Sequence, residues 1–147
     1  MRKISNIICI VLIAAFAAYL ALGWNGFPEE VPTHFDLSGL ADSFGPKITL
    51  LRDLAVMAGL FLLLAIVESF PGIWNIPVEV TEDNKEAILR IFYTMFAVIK
   101  VSVVLICAYS TFMCIYYPGF SSAPMMLLAG VIVITILAST FLVFKFR

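Results

Sequence analysis

The sequence predicts an all-α integral membrane protein, with four transmembrane helices, a structured outward-facing loop between the first two, and both termini in the cytoplasm. Three observations predict this. Of the 147 residues, 63% are hydrophobic and only 13% charged, whereas a water-soluble domain carries about 25% charge. The mean hydropathy of +1.07 means more apolar side chain than a water-soluble fold of this size can hide. Four apolar blocks each reach the roughly 20 residues that a spanning helix needs, and the Lys and Arg residues fall unevenly among the segments between them. The chain 1–147 then reads as a single polytopic membrane domain, with helices over about 4–24, 48–70, 87–117 and 124–144 and a motif loop over 25–47.

The first block follows Met-Arg-Lys, as a signal peptide would. Its apolar run exceeds the roughly 7–15 residues of a signal h-region and no clean cleavage site follows, so it reads as an uncleaved anchor. The second block runs from Ile48 to Phe70. The third, Ala87 to Tyr117, is too long: as a helix it reaches about 46 Å, against roughly 30 Å of hydrocarbon. Tyr116-Tyr117 followed by Pro118-Gly119 reads as an aromatic belt and helix stop at the outer interface. Counting inward at 1.5 Å per residue puts Lys100 about 24 Å deeper. That is near the inner edge, where the stem snorkels and the ammonium stays wet, with Arg90 beyond it among headgroups. The competing reading sets Lys100 in mid-membrane, paired with Glu68 or a lipid phosphate. Glu68, Arg90 and Lys100 are thus the candidate intramembrane or interfacial charges. Between the second and third blocks, Phe70, Ile73, Trp74 and Ile76 suit a segment lying in the interface. Thr81, with Asn84 nearby, suits the N-cap of the third helix. The fourth block runs from Pro124 to Phe144. Cys9, Cys107 and Cys114 lie in apolar stretches, odd in number and without a CxxC, and are expected to pack rather than to bridge or bind zinc.

Orientation follows from the basic residues. Arg2, Lys3, Lys85, Arg90, Lys145 and Arg147 flank one side of the blocks, and Lys47 and Arg52 the other. The positive-inside rule places the first set, with the Phe70–Glu86 segment, in the cytoplasm. The Asn25–Lys47 loop and the turn Pro118 to Ala123 then face outward. A formal net charge of −1 gives no reason to expect a nucleic-acid partner.

The loop holds the chain's one histidine, in VPTHFDLSGLAD. Prolines and glycines recur from Gly26 to Pro46, so turns are expected. Asp36-Leu-Ser-Gly39 fits a turn closed by glycine. Asp42-Ser-Phe-Gly45-Pro46 fits a second, with the Asp42 side chain bonding backbone amides. Val31 to Leu37 supports no more than a short extended strand. A metal would use His34 with Asp36, Glu29 or Glu30. A headgroup or other anion would use Lys47 and Arg52. No nucleophile stands beside His34 to make a catalytic motif.

FPEEVPTHFDLSGLADSFGPK resembles the signature of a bacterial membrane family, the domain of unknown function 1648, whose best-known relatives are immunity and signalling proteins of the SdpI type. The matching residues are Pro28, Pro32, His34, Phe35, Gly39, Asp42 and Lys47. A second stretch is similar as well: Ile76-Pro77, Thr81-Glu82-Asp83-Asn84, then Arg90 and Lys100 in a long helix. The resemblance implies a multi-pass protein of the bacterial cytoplasmic (inner) membrane, and Pro32, His34, Phe35, Gly39, Asp42 and Lys47 as candidate ligand-binding residues. SdpI-type proteins are longer, with additional helices. The expected function is binding or sensing of an envelope peptide, lipid headgroup or ion at the outer loop, rather than catalysis. The alternatives are a membrane-embedded, metal-dependent enzyme using His34 and a structural partner subunit. No cofactor is predicted, although His34 and Asp36 leave a divalent metal open. The expected partners are the lipid bilayer, the envelope ligand and a second copy of the chain.

Overall fold

Inside hydrocarbon a helix is the local structure that satisfies every backbone N–H and C=O within itself, and the long runs of Leu, Ile, Val, Phe and Ala fold accordingly. The computed structural model describes residues 2–36 and 39–146. It contains α1 (Arg2–Gly23), β1 (Glu30–Phe35), β2 (Ala41–Pro46), α2 (Thr49–Ser69), α3 (Lys85–Ile115) and α4 (Ala123–Val143), with single 3-10 turns after α1, α2 and α4. All four helices, among the described residues, are long and apolar enough to cross a membrane. The protein is a multi-pass membrane protein. α3 is the organising element, packed against α1, α2 and α4. Ile4, Leu22, Leu62, Leu127 and Phe141 stay exposed on the outer faces, as lipid-facing side chains should.

Two buried clusters hold the helices together. Near the hairpin, Leu20, Phe27, Val31, Leu50, Cys114 and Ile115 pack together. Midway along the helices, Cys9, Met57, Phe61 and Val104 form the second cluster. The three cysteines are free thiols, two of them inside these clusters. The Phe27 ring folds back onto Gly23, the last residue of α1, where a Cβ would lie 2.4 Å from Phe27 Cζ.

The loop between α1 and α2 departs from expectation. Where one short strand was expected, β1 and β2 pair as an antiparallel hairpin, with Val31 opposite Gly45, Pro32 opposite Phe44, His34 opposite Ser43 and Phe35 opposite Ala41. The first turn forms as predicted at its ends: Gly39 N–H donates to Asp36 O over 3.0 Å, and Leu40 N–H to Asp36 Oδ1 over 3.0 Å. Gly39 has φ of 84°, a left-handed conformation that favours glycine. Leu37 and Ser38 of that turn lie outside the described residues. The second predicted turn does not form. Asp42 to Pro46 is strand, because pairing with β1 overrides the turn preference of its Asp, Ser, Gly and Pro. The hairpin seats on α3 through Tyr117, whose ring centroid lies 5.9 Å from that of Phe35 and 6.1 Å from that of Phe44. The Tyr117 hydroxyl also accepts the Ala41 N–H over 3.3 Å.

At the opposite end one further expectation is corrected. α3 begins at Lys85, after Asn84, so Thr81 is not its N-cap. The Asn84 carboxamide instead accepts the Thr81 N–H over 2.8 Å and donates to Glu79 O over 3.0 Å, closing the loop before the helix. In the segment after α2, Phe70 and Ile73 stay exposed, while Trp74 turns toward α3, stacks on Phe92 at 5.3 Å and donates from Nε1 to Val67 O over 2.8 Å.

Candidate functional site

Polar side chains gather at both ends of the helix bundle. At the hairpin end the register slips between Pro32 and His34 and again between His34 and Phe35. Such irregularities re-aim side chains, and here His34 meets Asp42 although its ladder partner is Ser43. The His34 Nδ1–H donates to Asp42 Oδ1 over 2.6 Å, since an ionised carboxylate can only accept. That bond fixes the ring and leaves Nε2 for another partner. The pair is open to solvent, with side-chain exposures of 68% and 47%.

Lys47 plays a different part. Its ammonium donates to Glu29 Oε1 over 2.8 Å and to Trp24 O over 3.3 Å, and lies 5.3 Å from the Trp24 ring centroid. With its backbone N–H bonded to Glu29 O, Lys47 closes the base of the hairpin rather than offering a free charge to an anion. Glu29 is thereby engaged, and Asp36 Oδ1 accepts a turn amide. The acids proposed to join His34 around a metal do not converge on it. Among the described residues no group of three or more His, Cys, Asp and Glu side chains could hold a metal ion.

Beneath β1 lies a cleft of about 250 Å³, bounded by Pro32, Thr33 and Phe35 of the hairpin, by Arg52, Asp53 and Val56 of α2, and by a wall of α3 that includes Cys107 and Thr111. Arg52 and Asp53 pair across 3.1 Å at its polar edge. Of the sequence candidates, Pro32, Phe35 and Arg52 line this cleft. His34 and Asp42 form the surface pair, Gly39 shapes the hairpin tip and Lys47 clamps its base. Thr33, Asp53 and Thr111 were not foreseen. Asp53 had a signal, an acid directly after Arg52 at the start of an apolar helix.

The other polar cluster sits near the far end, where α1, α2 and α3 converge. Lys100 Nζ donates to Glu68 Oε2 over 2.6 Å, and also to Asn6 Oδ1. Both charged side chains are 0% exposed. The expectation of a snorkelling, wet ammonium is therefore corrected. Glu68 is the penultimate residue of α2 and Asn6 lies in the second turn of α1, so the depth counted from Tyr116 is near the bundle end as expected, yet packing by three helices shuts water out. Arg90 is elsewhere, in an exposed i,i+4 pair with Glu86 at 3.6 Å. Asn6 was missed; a lone carboxamide in an apolar block was its one signal.

With this geometry in view, the comparison with known families is specific. Residues 10–58 match the family model described as Domain of unknown function (DUF1648). The matched segment takes in most of α1, the whole hairpin and the first half of α2, and so contains His34, Asp42, Lys47, Arg52 and Asp53. Glu68 and the stretch from Ile76 to Lys100 lie outside the match. No curated protein and no solved structure matches the chain.

Proposed function

We propose that this protein is a binding or sensing protein of the bacterial cytoplasmic membrane that takes an amphipathic envelope ligand, a lipid or an apolar peptide, at its outward-facing hairpin. The cleft between β1, α2 and α3 carries this reading. It combines an apolar wall (Pro32, Phe35, Val56) with the Arg52–Asp53 pair at its edge, the arrangement that binds a molecule with an apolar body and a polar head. The DUF1648 segment supplies the hairpin and the α2 side of this cleft. The Lys/Arg distribution supports an outward hairpin and cytoplasmic termini. The similarity of the loop motif to SdpI-type proteins supports recognition of an envelope component.

The test uses the full chain in vesicles of phosphatidylglycerol and phosphatidylethanolamine that carry a photoactivatable acyl chain, with an apolar peptide bearing the same photoactivatable group as the second arm. Cross-links from one of the two probes should map to the segments around Arg52–Val56 and Cys107–Thr111. Val56→Trp, which fills the cleft, should remove those cross-links while the helical circular-dichroism signal is kept. Cross-links spread evenly over all lipid-facing helices, unchanged by Val56→Trp, would exclude this site.

A further inference from the structure

Building on the assignment of the cleft between β1, α2 and α3 as the ligand site, we propose that its ligand is a zwitterionic aminophospholipid, with Arg52 and Asp53 binding the two charges of a phosphoethanolamine headgroup. Of the residues bounding the cleft, Arg52 and Asp53 carry the charges, one of each sign. Their mutual contact is one-sided. Arg52 Nε and Nη2 both donate to Asp53 Oδ1, over 3.3 Å and 3.1 Å. Arg52 Nη1 and Asp53 Oδ2 have no hydrogen-bond partner among the described residues. A guanidinium and a carboxylate each offer more hydrogen-bonding sites than this contact uses. A free donor of positive charge and a free acceptor of negative charge therefore stand side by side.

The cleft is graded along the membrane normal. α2 runs away from the hairpin and α3 runs toward it. Val56 lies about one turn beyond Arg52 and Asp53 on α2, and Ile106 and Cys107 lie about two turns before Cys114 on α3. From the hairpin inward, the charged pair comes first and Val56, Ile106 and Cys107 follow. Val56 is itself exposed, so the deep end opens toward the bilayer. An upright phospholipid needs this order, with its headgroup beside the hairpin and its acyl chains deeper. Asp53 is the more enclosed of the pair and Arg52 the more open. The small ammonium then seats on Asp53 and the phosphate on Arg52.

Charge balance selects among headgroups. Phosphoethanolamine donates from its ammonium to Asp53 Oδ2 and accepts from Arg52 Nη1 at its phosphate, and both bonds are charge-assisted. A phosphoglycerol headgroup brings the phosphate alone. It can reach the guanidinium, but it then meets the Asp53 carboxylate, held 3.1 Å from that guanidinium, as a like charge. A phosphocholine headgroup has both charges, but its quaternary ammonium has no N–H to donate and is held best by several aromatic rings; Phe35 is the aromatic residue of this lining. Neighbouring anion receivers are already engaged. Lys47 Nζ is held by Glu29 and Trp24. At the start of α2, Leu50 N–H donates to Lys47 O over 3.0 Å and Leu51 N–H to Ile48 O over 3.1 Å. The phosphate is thereby directed to Arg52.

The test compares three probes that share one photoactivatable acyl chain and differ in headgroup: phosphoethanolamine, phosphoglycerol and phosphocholine. Each is added in trace amount to otherwise identical vesicles holding the full wild-type chain, so the comparison depends on no variant folding. The phosphoethanolamine probe should label the segments around Arg52–Val56 and Cys107–Thr111 several-fold more than the other two. Asp53→Asn, which keeps the shape of the side chain and removes its charge, should lower that labelling to the level of the phosphoglycerol probe with the helical circular-dichroism signal kept. Equal labelling by all three probes, removed by Val56→Trp, would overturn the headgroup selection and leave the cleft as a lipid site. A preference for phosphoglycerol or phosphocholine would overturn it in the same way. Labelling by the apolar peptide alone would overturn the lipid class and leave the cleft as a peptide site. Absence of cleft labelling by every probe would overturn both the selection and the site.

Discussion

Two ion pairs of equal length, 2.6 Å each, have opposite energetics because one is wet and the other dry. His34 and Asp42 are exposed, and an exposed pair contributes at most about 1 kcal/mol once solvent screening is counted. His34→Ala should therefore move the thermal midpoint little. His34 does not line the cleft, so a folded His34→Ala protein should still bind the ligand there, and loss of binding would extend the site to the imidazole. Lys100 and Glu68 behave differently. Stranding one member of a buried pair costs roughly 3–5 kcal/mol, so Lys100→Met and Glu68→Gln should each destabilise strongly while the double variant recovers much of the loss. A thermal or denaturant double-mutant cycle checks this, and simple additivity would show that the pair is not coupled. Sequence reasoning favoured additivity. The count along α3 gives the depth of a residue but not which way it faces, and burial here depends on Asn6 and Glu68 arriving from two other helices.

At the scale of elements, the helices were largely legible and the hairpin was not. The predicted spans differ from α1, α2, α3 and α4 by no more than two residues at any end, because hydrocarbon thickness and helix rise leave little freedom. β2 was read as a turn, since Asp42, Ser43, Gly45 and Pro46 all have turn chemistry and the pairing that makes them a strand is non-local. The cleft was illegible for the same reason: it exists only where β1, α2 and α3 meet. Two glycines hold this region in shape. Gly39→Ala puts a side chain at φ of 84°, a left-handed conformation that costs an L-residue roughly 1–2 kcal/mol. The loss should appear as faster amide exchange in β1 and β2 with the helices unaffected. Gly23→Ala must displace the Phe27 ring, whose Cζ would stand 2.4 Å from the new Cβ. Since Phe27 packs with Leu20 and Val31, that substitution should lower the thermal midpoint of the whole chain, and an unchanged midpoint would mean that the ring relocates without cost.

Across the whole molecule the polar chemistry is divided between two ends, with the apolar layer of Cys9, Met57, Phe61 and Val104 between them. The hairpin end presents a cleft and an exposed imidazole; the far end encloses a buried charge pair under Trp74. Which end faces the cytoplasm decides what each can meet. The basic residues Arg2, Lys3, Lys85, Arg90 and Lys145 all lie at the end away from the hairpin, and such residues within about 15–20 positions of a span dominate orientation. The exposed positions Glu30 in β1 and Glu82 before α3 report the two sides without disturbing the buried clusters. In a chain whose Cys9, Cys107 and Cys114 are replaced by alanine, Glu30→Cys should react with an impermeant maleimide on intact cells, and Glu82→Cys only after the membrane is opened. The reverse pattern would put the hairpin in the cytoplasm. The cleft would then face cytoplasmic molecules rather than the envelope. Reaction of both positions on intact cells would require an even number of membrane crossings between them, which α2 alone cannot supply.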